Sequence, residues 1–203
     1  DWKTPRMKTY ILNLPSALER RNFQAQQAER LGLDALFIAA QSPADIPDAF
    51  FQAHAFSWER PIKITEVACF MSHHQVWQQI ADSHEPALVL EDDAILAHNT
   101  PELLACLAQR EDVDHVSLET RQRQKLLGRR FKAMDGLNAC LHPLLQDRTG
   151  AAAYVLWPSG ARALLAKFEQ QGMGLADARM RPAVSGSHRP AWCWCQSRAT
   201  ARL

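Results

Sequence analysis

Three consecutive carboxylates follow an apolar run in the segment PALVLEDDAIL, residues 86–96. A buried ion without a partner is strongly destabilising, so Glu91, Asp92 and Asp93 need compensation. Glu91 and Asp93 flank Asp92 in an acid-x-acid spacing, and carboxylate oxygens suit Mg²⁺ or Mn²⁺, which often complete their coordination with substrate phosphates. The triplet predicts a divalent-metal site that binds a diphosphate. An ordinary acidic loop after a strand is the alternative, and so short a motif leaves both open.

Histidine and cysteine supply the next candidate groups. In TEVACFMSHHQVWQQIA, residues 65–81, apolar side chains recur at helical spacing and His73 falls on the apolar face. A histidine there is either a hydrogen-bonded core residue or a functional base. Cys193 and Cys195 with His188 lack the spacing and the second ligand pair of a structural zinc site. The common protease, hydrolase, P-loop and dinucleotide motifs do not occur in the sequence.

A basic run, TRQRQKLLGRRFK at residues 120–132, contains Lys and Arg but no acidic residue. At an anionic membrane surface each such cation would add about 1 kcal/mol to binding. A solvated loop is the other interpretation, because a basic run indicates a patch and not its partner. Both interpretations stay open.

Composition limits the class of protein. The chain has 203 residues, 47% hydrophobic and 22% charged, which is typical of one globular domain. The net charge of +1 gives no overall field for nucleic acid. Five scattered cysteines indicate buried thiols in a reducing compartment. With no run of about 18 apolar residues and no signal-peptide pattern, we expect a cytoplasmic protein without a transmembrane segment.

The elements that must position these groups alternate between strand and helix. Strands are predicted at residues 9–14, 35–39, 87–90, 113–118 and 151–157. Helices are predicted from a Ser16–Glu19 capping box to Gly32, and at residues 65–81, 100–110 and 158–171, with little regular structure at 41–61. Alternation of this kind predicts an α/β fold with a mostly parallel central sheet. Ligands bind outside the carboxyl ends of such strands, where the acidic triplet falls.

Four segments, in this order, resemble glycosyltransferase family 25, the lipopolysaccharide and lipooligosaccharide biosynthesis glycosyltransferases. They are YILNLPSALERR (10–21), ITEVACFMSHHQVWQQI (64–80), PALVLEDDAIL (86–96) and TGAAAYVLWPSGARALL (149–165). The resemblance spans about residues 8–171, and the ordered set is far more specific than any one piece. It implies a GT-A-like, Rossmann-related sandwich.

The resemblance also implies a reaction: transfer of a hexose, usually galactose from UDP-galactose, to lipopolysaccharide core or lipooligosaccharide with inversion. Mn²⁺ or Mg²⁺ would stabilise the departing UDP as a Lewis acid, and a carboxylate would deprotonate the acceptor hydroxyl. The residues implied are Glu91 and Asp93 for the metal; Asn13, Arg20, Arg21 and Ser72 for the substrate; and Asp92, Glu66, His73 and Asp177 for catalysis.

Two departures from the family pattern matter. Thr65 stands where the family has glycine, and family members continue well past residue 203. After about Gly174 the chain loses hydrophobic periodicity and accumulates arginine. We therefore predict a family domain at residues 7–174 and a divergent, poorly ordered tail at residues 175–203, because the tail buries too little apolar surface to offset its ordering entropy.

The expected partners are a nucleotide-sugar donor and a glycolipid acceptor at the cytoplasmic face of the inner membrane, with no nucleic acid. Two other functions remain open at this point. One is a catalytically inactive remnant that binds nucleotide-sugar or a partner without turnover. The other is a metal-dependent phosphohydrolase that uses the same acidic triplet.

Overall fold

A computed structural model describes residues 6–119, 125–134, 136–137, 139–146, 150–180 and 192–196. The helices are α1 (Leu18–Leu31), α2 (Asp48–His54), α3 (Ile64–Ala81), α4 (Thr100–Ala108), α5 (Pro158–Gln171) and α6 (Ala176–Arg179), with a 3₁₀ turn at Pro43–Asp45. The strands are β1 (Lys8–Asn13), β2 (Asp34–Ala39), β3 (Ala87–Glu91), β4 (His115–Ser117), β5 (Leu126–Leu127), β6 (Lys132–Ala133), β7 (Ala139–Gln146), β8 (Ala153–Leu156) and β9 (Trp192–Gln196).

The described strands form one mixed sheet in the order β2-β1-β3-β8-β4-β9-β7-β5, with β6 on β7. β1 lies between β2 and β3 and is parallel to both. β8 runs antiparallel between β3 and β4, and β9 is parallel to β4. The predicted α/β class with a Rossmann-related, parallel core is confirmed, and the antiparallel strands extend that core on one side.

The sheet has a buried core on each face. Successive residues of β3 point to opposite faces, so Ala87 and Val89 join one core while Leu88 and Leu90 join the other. Helices α3 and α5 pack side by side over the first face, and α4 covers the second. Burial on both faces explains why β3 reads as a continuous apolar run.

The first helix differs from its prediction at the amino end. The Ser16–Glu19 capping box is wrong: α1 begins at Leu18, and its N-cap, Ala17, makes no side-chain capping bond. A turn in which Ala17 N–H donates to Leu14 O, at 2.8 Å, shapes this end instead. The predicted end is confirmed, because Gly32 takes the left-handed conformation with φ 62°.

Residues 41–61 hold more regular structure than predicted. The 3₁₀ turn at Pro43–Asp45 is capped by Ser42, whose N–H and Oγ both contact Asp45 Oδ2 at 2.7 Å. Helix α2 follows, and its aromatic side chains Phe50 and Phe51 pack against the core beneath α3. The prolines and scattered aromatic residues show no helical pattern, so this short helix was not predicted. Its apolar residues pack against the core.

Two stretches of the predicted tail are packed into the domain. Ala176 and Met180 of the α6 region join the core beneath α3, and Trp192 and Cys193 of β9 are buried between β4 and β7. Regular structure is thus present at residues 176–179 and 192–196 although the sequence there lacks hydrophobic periodicity, and the poor ordering of the tail stays a prediction. Residues 181–191 and 197–203 lie outside the described part, and the boundary at residue 174 stays a prediction.

Two further properties concern thiols and membrane spans. Cys69 is a free thiol in the described structure. Within the described residues, the helices are all too short or too polar to cross a bilayer.

Candidate active site

The carboxyl ends of β1 and β3 create the site. Parallel pairing aligns Leu12 with Glu91, so Asn13 lies beside the acidic triplet. Helix α3 crosses the same end of the sheet and contributes Cys69 and His73. The predicted triplet thus stands at the sheet edge where α/β proteins bind ligands.

Asp92 is buried and its carboxylate is engaged on both oxygens. Asn13 Nδ2 donates to Oδ2 at 2.8 Å, and Arg20 Nη1 pairs with Oδ1 at 3.0 Å. These bonds offset the cost of removing the carboxylate from water. They also tie β1, β3 and α1 together and hold the Arg20 side chain, which is half exposed, at the site. Geometry therefore favours an anchoring role for Asp92; its predicted catalytic role stays a prediction.

Glu91 faces the other way, toward α3. Its Oε1 lies 3.2 Å from His73 Nε2 and 3.9 Å from Cys69 Sγ. On the far side of the imidazole, His73 Nδ1 lies 2.9 Å from the Tyr154 hydroxyl, which also accepts a 2.9 Å bond from Trp77 Nε1. Cys69, His73 and Trp77 follow one another at four-residue spacing, so they share one face of α3.

Burial keeps the thiol and the phenol of this cluster protonated. The pKa of Cys69 is raised to about 12, first by withdrawal of the thiol from water and then by the Glu91 and Asp177 carboxylates. Burial likewise raises the pKa of Tyr154 far above its ordinary value. Cys69 is therefore a neutral donor to Glu91 rather than a thiolate nucleophile.

Two sets of residues could hold a metal ion. Ligand atoms of Cys69, His73 and Glu91 all lie within 4.8 Å of one another. That set includes a soft thiolate ligand, which suits Zn²⁺ better than Mg²⁺ or Mn²⁺. The predicted pair, Glu91 and Asp93, lines one cavity, and both residues offer the hard oxygens that Mg²⁺ and Mn²⁺ prefer. Asp93 is exposed, and the metal role of the pair stays a prediction.

Two cavities meet at Glu91. The first, which we call the arginine-side cavity, has a volume of about 270 Å³, and its lining includes Arg20, Ser72, Asp93 and the apolar residues Leu12 and Leu14. The second, the acidic cavity, has a volume of about 400 Å³. Its carboxylates are Glu66, Glu91, Glu119 and Asp177. Thr65, Cys69 and Glu91 line both cavities, so Glu91 stands at their junction.

Glu66 and Ser72, both predicted site residues, make structural bonds in α3. Glu66 accepts the Lys63 backbone N–H at 2.8 Å and two bonds from the Arg60 guanidinium, at 2.6 and 2.9 Å. That guanidinium lowers the pKa of Glu66. Ser72 Oγ donates to Ala68 O and accepts the Gln41 N–H, each at 2.8 Å. Both side chains nevertheless line a cavity of the site.

The two predicted arginines contact different residues. Arg20 reaches Asp92, whereas Arg21 stacks on the Phe37 ring at 4.2 Å and is not among the described residues that line the two cavities. Asp177 is brought to the acidic cavity by α6, where its Oδ1 accepts the Ala178 N–H at 2.7 Å.

Sequence reasoning missed three contributors to the site. They are Cys69, Tyr154 and Glu119. Cys69 could have been found, because it precedes His73 by one helical turn. Tyr154 and Glu119 come from elements whose place in the sheet no local pattern reveals.

Comparison with known proteins agrees with this architecture. The family model described as "Glycosyltransferase family 25 (LPS biosynthesis protein)" matches residues 7–178. The lacto-N-neotetraose biosynthesis glycosyltransferase LgtE of Neisseria gonorrhoeae is 30% identical over 171 residues, 80% of this chain and 61% of that protein. LgtB of the same organism is 30% identical over 179 residues, with the same coverage. The lipooligosaccharide biosynthesis protein lic2B of Haemophilus influenzae is 25% identical over 162 residues, 72% of this chain and 58% of that protein.

The chain spans about three fifths of the length of these bacterial relatives. It spans 16% of a glycosyltransferase 25 family member of Aedes aegypti, with 34% identity over 94 residues. The family match covers β1, β3, α3 and residues 176–178 of α6, all of which contribute to the lining of the cavities. The chain therefore belongs to glycosyltransferase family 25.

Proposed function

We propose that this protein transfers a hexose, galactose foremost, from a UDP-sugar to a lipooligosaccharide or lipopolysaccharide acceptor. Family membership supports glycosyl transfer, and the names of the bacterial relatives support the acceptor class. The observation that carries the proposal is the position of Glu91 between a cavity that contains an arginine and a cavity lined by carboxylates.

The arginine-side cavity, whose lining also includes Glu91, Asp92 and Asp93, suits the anionic donor once a divalent metal offsets these carboxylates. A guanidinium offers several N–H donors in a planar fork that matches phosphate oxygens. Arg20 is held there by its ion pair with Asp92, and Leu12 and Leu14 add apolar surface for the rest of the nucleotide. Arg20, Asn13 and Ser72 remain our proposed substrate-binding residues, and Arg21 is now the least supported of the set.

A divalent metal, Mn²⁺ or Mg²⁺, would be held at this end by Glu91 and Asp93. Bound there, the ion would supply Lewis-acid stabilisation of the departing UDP. Exposure of Asp93 at the cavity mouth leaves room for the water and phosphate oxygens that such ions retain.

The acidic cavity suits a neutral sugar acceptor. Its described lining contains carboxylates and small residues but no Lys, Arg or His, so a second phosphate would be repelled there. We assign Asp177 as the base: its carboxylate takes the proton of the acceptor hydroxyl. The hydroxyl oxygen then bonds to the anomeric carbon while the bond from that carbon to the UDP oxygen breaks. With donor and acceptor on opposite sides of Glu91, the acceptor oxygen would attack the anomeric carbon opposite the departing UDP. This arrangement favours inversion of the anomeric configuration.

Contact with a membrane surface would bring the glycolipid to this site. Arg129 and Arg130 are exposed, and the flanking Leu126 and Phe131 side chains are 58% and 61% exposed. Cations beside exposed apolar groups favour anionic bilayers. We therefore keep peripheral association with the cytoplasmic face of the inner membrane as part of the proposal. Residues 120–124 of the basic run lie outside the described structure.

A donor screen tests the proposed reaction. UDP release from UDP-galactose and UDP-glucose is measured with and without Mn²⁺, in the presence and absence of lipooligosaccharide. Acceptor-dependent release that Asp177→Asn lowers by about 10²–10⁴-fold would support the assignment. Asp82→Asn, a change at an exposed residue that caps the far end of α3, is the control. Release without acceptor would favour a phosphohydrolase, and UDP binding without release would favour an inactive remnant.

A further inference from the structure

A continuous chain of hydrogen bonds runs from the core to Glu91. Trp77 Nε1 donates to the Tyr154 hydroxyl at 2.9 Å, and that hydroxyl lies 2.9 Å from His73 Nδ1. His73 Nε2 lies 3.2 Å from Glu91 Oε1. Trp77, Tyr154 and His73 are each 0% exposed, and His73 and Glu91 are the members of the chain that line a cavity. The chain joins α3, β8 and the end of β3.

The tryptophan limits the directions that these bonds can take. An indole N–H can only donate, so the Tyr154 oxygen is the acceptor of that bond. Its own hydroxyl proton is then available to His73 Nδ1. A ring nitrogen that accepts carries no proton in the neutral imidazole, so the proton of His73 resides on Nε2 and points at Glu91.

The opposite tautomer is unfavourable at both ends of the ring. A proton on His73 Nδ1 would face the Tyr154 oxygen, whose hydroxyl proton would have no acceptor among its recorded contacts in the described structure. A buried donor without a partner loses its hydration without compensation. At the other end, the Nε2 lone pair would face the Glu91 carboxylate oxygen and repel it.

We propose that Tyr154 and Trp77 are positioning residues that hold His73 in the Nε2–H form, so that the imidazole fixes Glu91 at the junction of the two cavities. His73 is then neither the base nor a metal ligand: it donates to the carboxylate that serves the reaction. For His73 Nε2 to bind a metal together with Cys69 and Glu91, the ring proton would have to move to Nδ1.

The tautomer can be observed directly and without turnover. Ring nitrogens of His73 are read by NMR in protein labelled with ¹⁵N-histidine, and His73→Gln identifies the resonances. We expect a protonated Nε2 and an unprotonated Nδ1 in the wild type, with a mixture of tautomers in Tyr154→Phe. Tyr10→Phe, which removes the other tyrosine hydroxyl of this sheet from a buried position, is the control and should leave the spectrum unchanged. A protonated Nδ1 in the wild type, or an unchanged Tyr154→Phe spectrum, would overturn the proposal.

Kinetics provide a second readout, which does rest on the proposed function. Tyr154→Phe should lower kcat by about 10- to 100-fold, the range for groups that orient a ligand residue, with little change in donor KM. His73→Gln keeps an N–H donor near the Nε2 position, whereas His73→Asn does not, so the glutamine variant should retain more kcat.

Equal losses in the glutamine and asparagine variants would contradict the positioning role. If Tyr154→Phe fails to fold, Trp77→Phe tests the same inference: without the indole donor, the hydroxyl no longer has one fixed direction, and mixed tautomers are expected. A pure Nε2–H ring in Trp77→Phe would overturn the role of Trp77. Because the spectra need no substrate, failure of the transfer reaction and failure of this inference are distinguishable.

Discussion

Asp92 and Arg20 form an ion pair at 3.0 Å that turns the middle carboxylate of the triplet away from its neighbours. Three successive acids are tolerated because their side chains contact different groups. Asp92 is bound by Arg20 and Asn13, Glu91 contacts His73 and Cys69, and Asp93 is exposed. This division separates an anchoring residue from the residues we propose for metal binding.

Removal of Arg20 should weaken donor binding. We expect Arg20→Ala to raise the Kd for UDP by about tenfold, which corresponds to about 1.4 kcal/mol, because the diphosphate loses its guanidinium partner. Isothermal titration calorimetry measures this. Arg21→Ala is the matched control, since Arg21 is the next residue on the same helix and stacks on Phe37. An equal increase in the Kd for UDP in both variants would show a general effect of positive charge and not a specific contact between Arg20 and the diphosphate.

Asp93 should make metal binding depend on UDP. Glu91 and Asp93 supply too few ligands for strong binding alone, so Mn²⁺ should bind weakly to the free protein and more tightly when UDP is present. Asp93→Ala should lose that tightening, and Asp82→Ala should keep it. Calorimetric titration of Mn²⁺ with and without UDP provides the test. Wild-type coupling in the Asp93 variant would remove this residue from the metal site.

Acid should destabilise the amino end of α3 through Glu66. The Arg60 guanidinium lowers the pKa of this carboxyl below its ordinary value of 4.5. A depressed folded-state pKa adds stability above the unfolded pKa, and this stability disappears as the pH falls through the folded pKa. The free energy of unfolding should therefore differ most between the wild type and Glu66→Gln above about pH 4.5.

Urea unfolding at a series of pH values checks this prediction. The difference between the two proteins should shrink as the pH falls from 4.5 through the lower folded-state pKa of Glu66, below which both proteins carry a neutral side chain. A difference that stays constant with pH would mean that hydrogen bonding alone, and not the charge of Glu66, stabilises this end of α3.

The sequence predicted those parts of the fold that local patterns determine. The apolar run predicted β3 and its acidic end, and helical spacing predicted the span of α3. The conformational preference of glycine predicted the residue that ends α1. β9 could not be predicted, because its strand is stabilised by pairing with β4 and β7, far away in the sequence.

Contacts within the site are likewise not predicted by local sequence patterns. Arg20 and Arg21 look equivalent in the sequence, yet the roughly 100° rotation between successive helical residues sends one to Asp92 and the other to Phe37. The contact between His73 and Tyr154 depends on β8 lying beside β3 with its register opposite Val89. Such contacts follow from tertiary packing and leave no local signal.

Glu91→Gln tests the central claim, that Glu91 at the junction of the two cavities serves both substrates. The measurement is the initial rate of UDP release from UDP-galactose with lipooligosaccharide and Mn²⁺, with Glu85→Gln as the control at an exposed glutamate before the same strand. We predict that kcat falls by at least about 100-fold in Glu91→Gln, the lower range for loss of a charged catalytic group, while the control keeps the wild-type rate. A wild-type rate in Glu91→Gln would contradict the account.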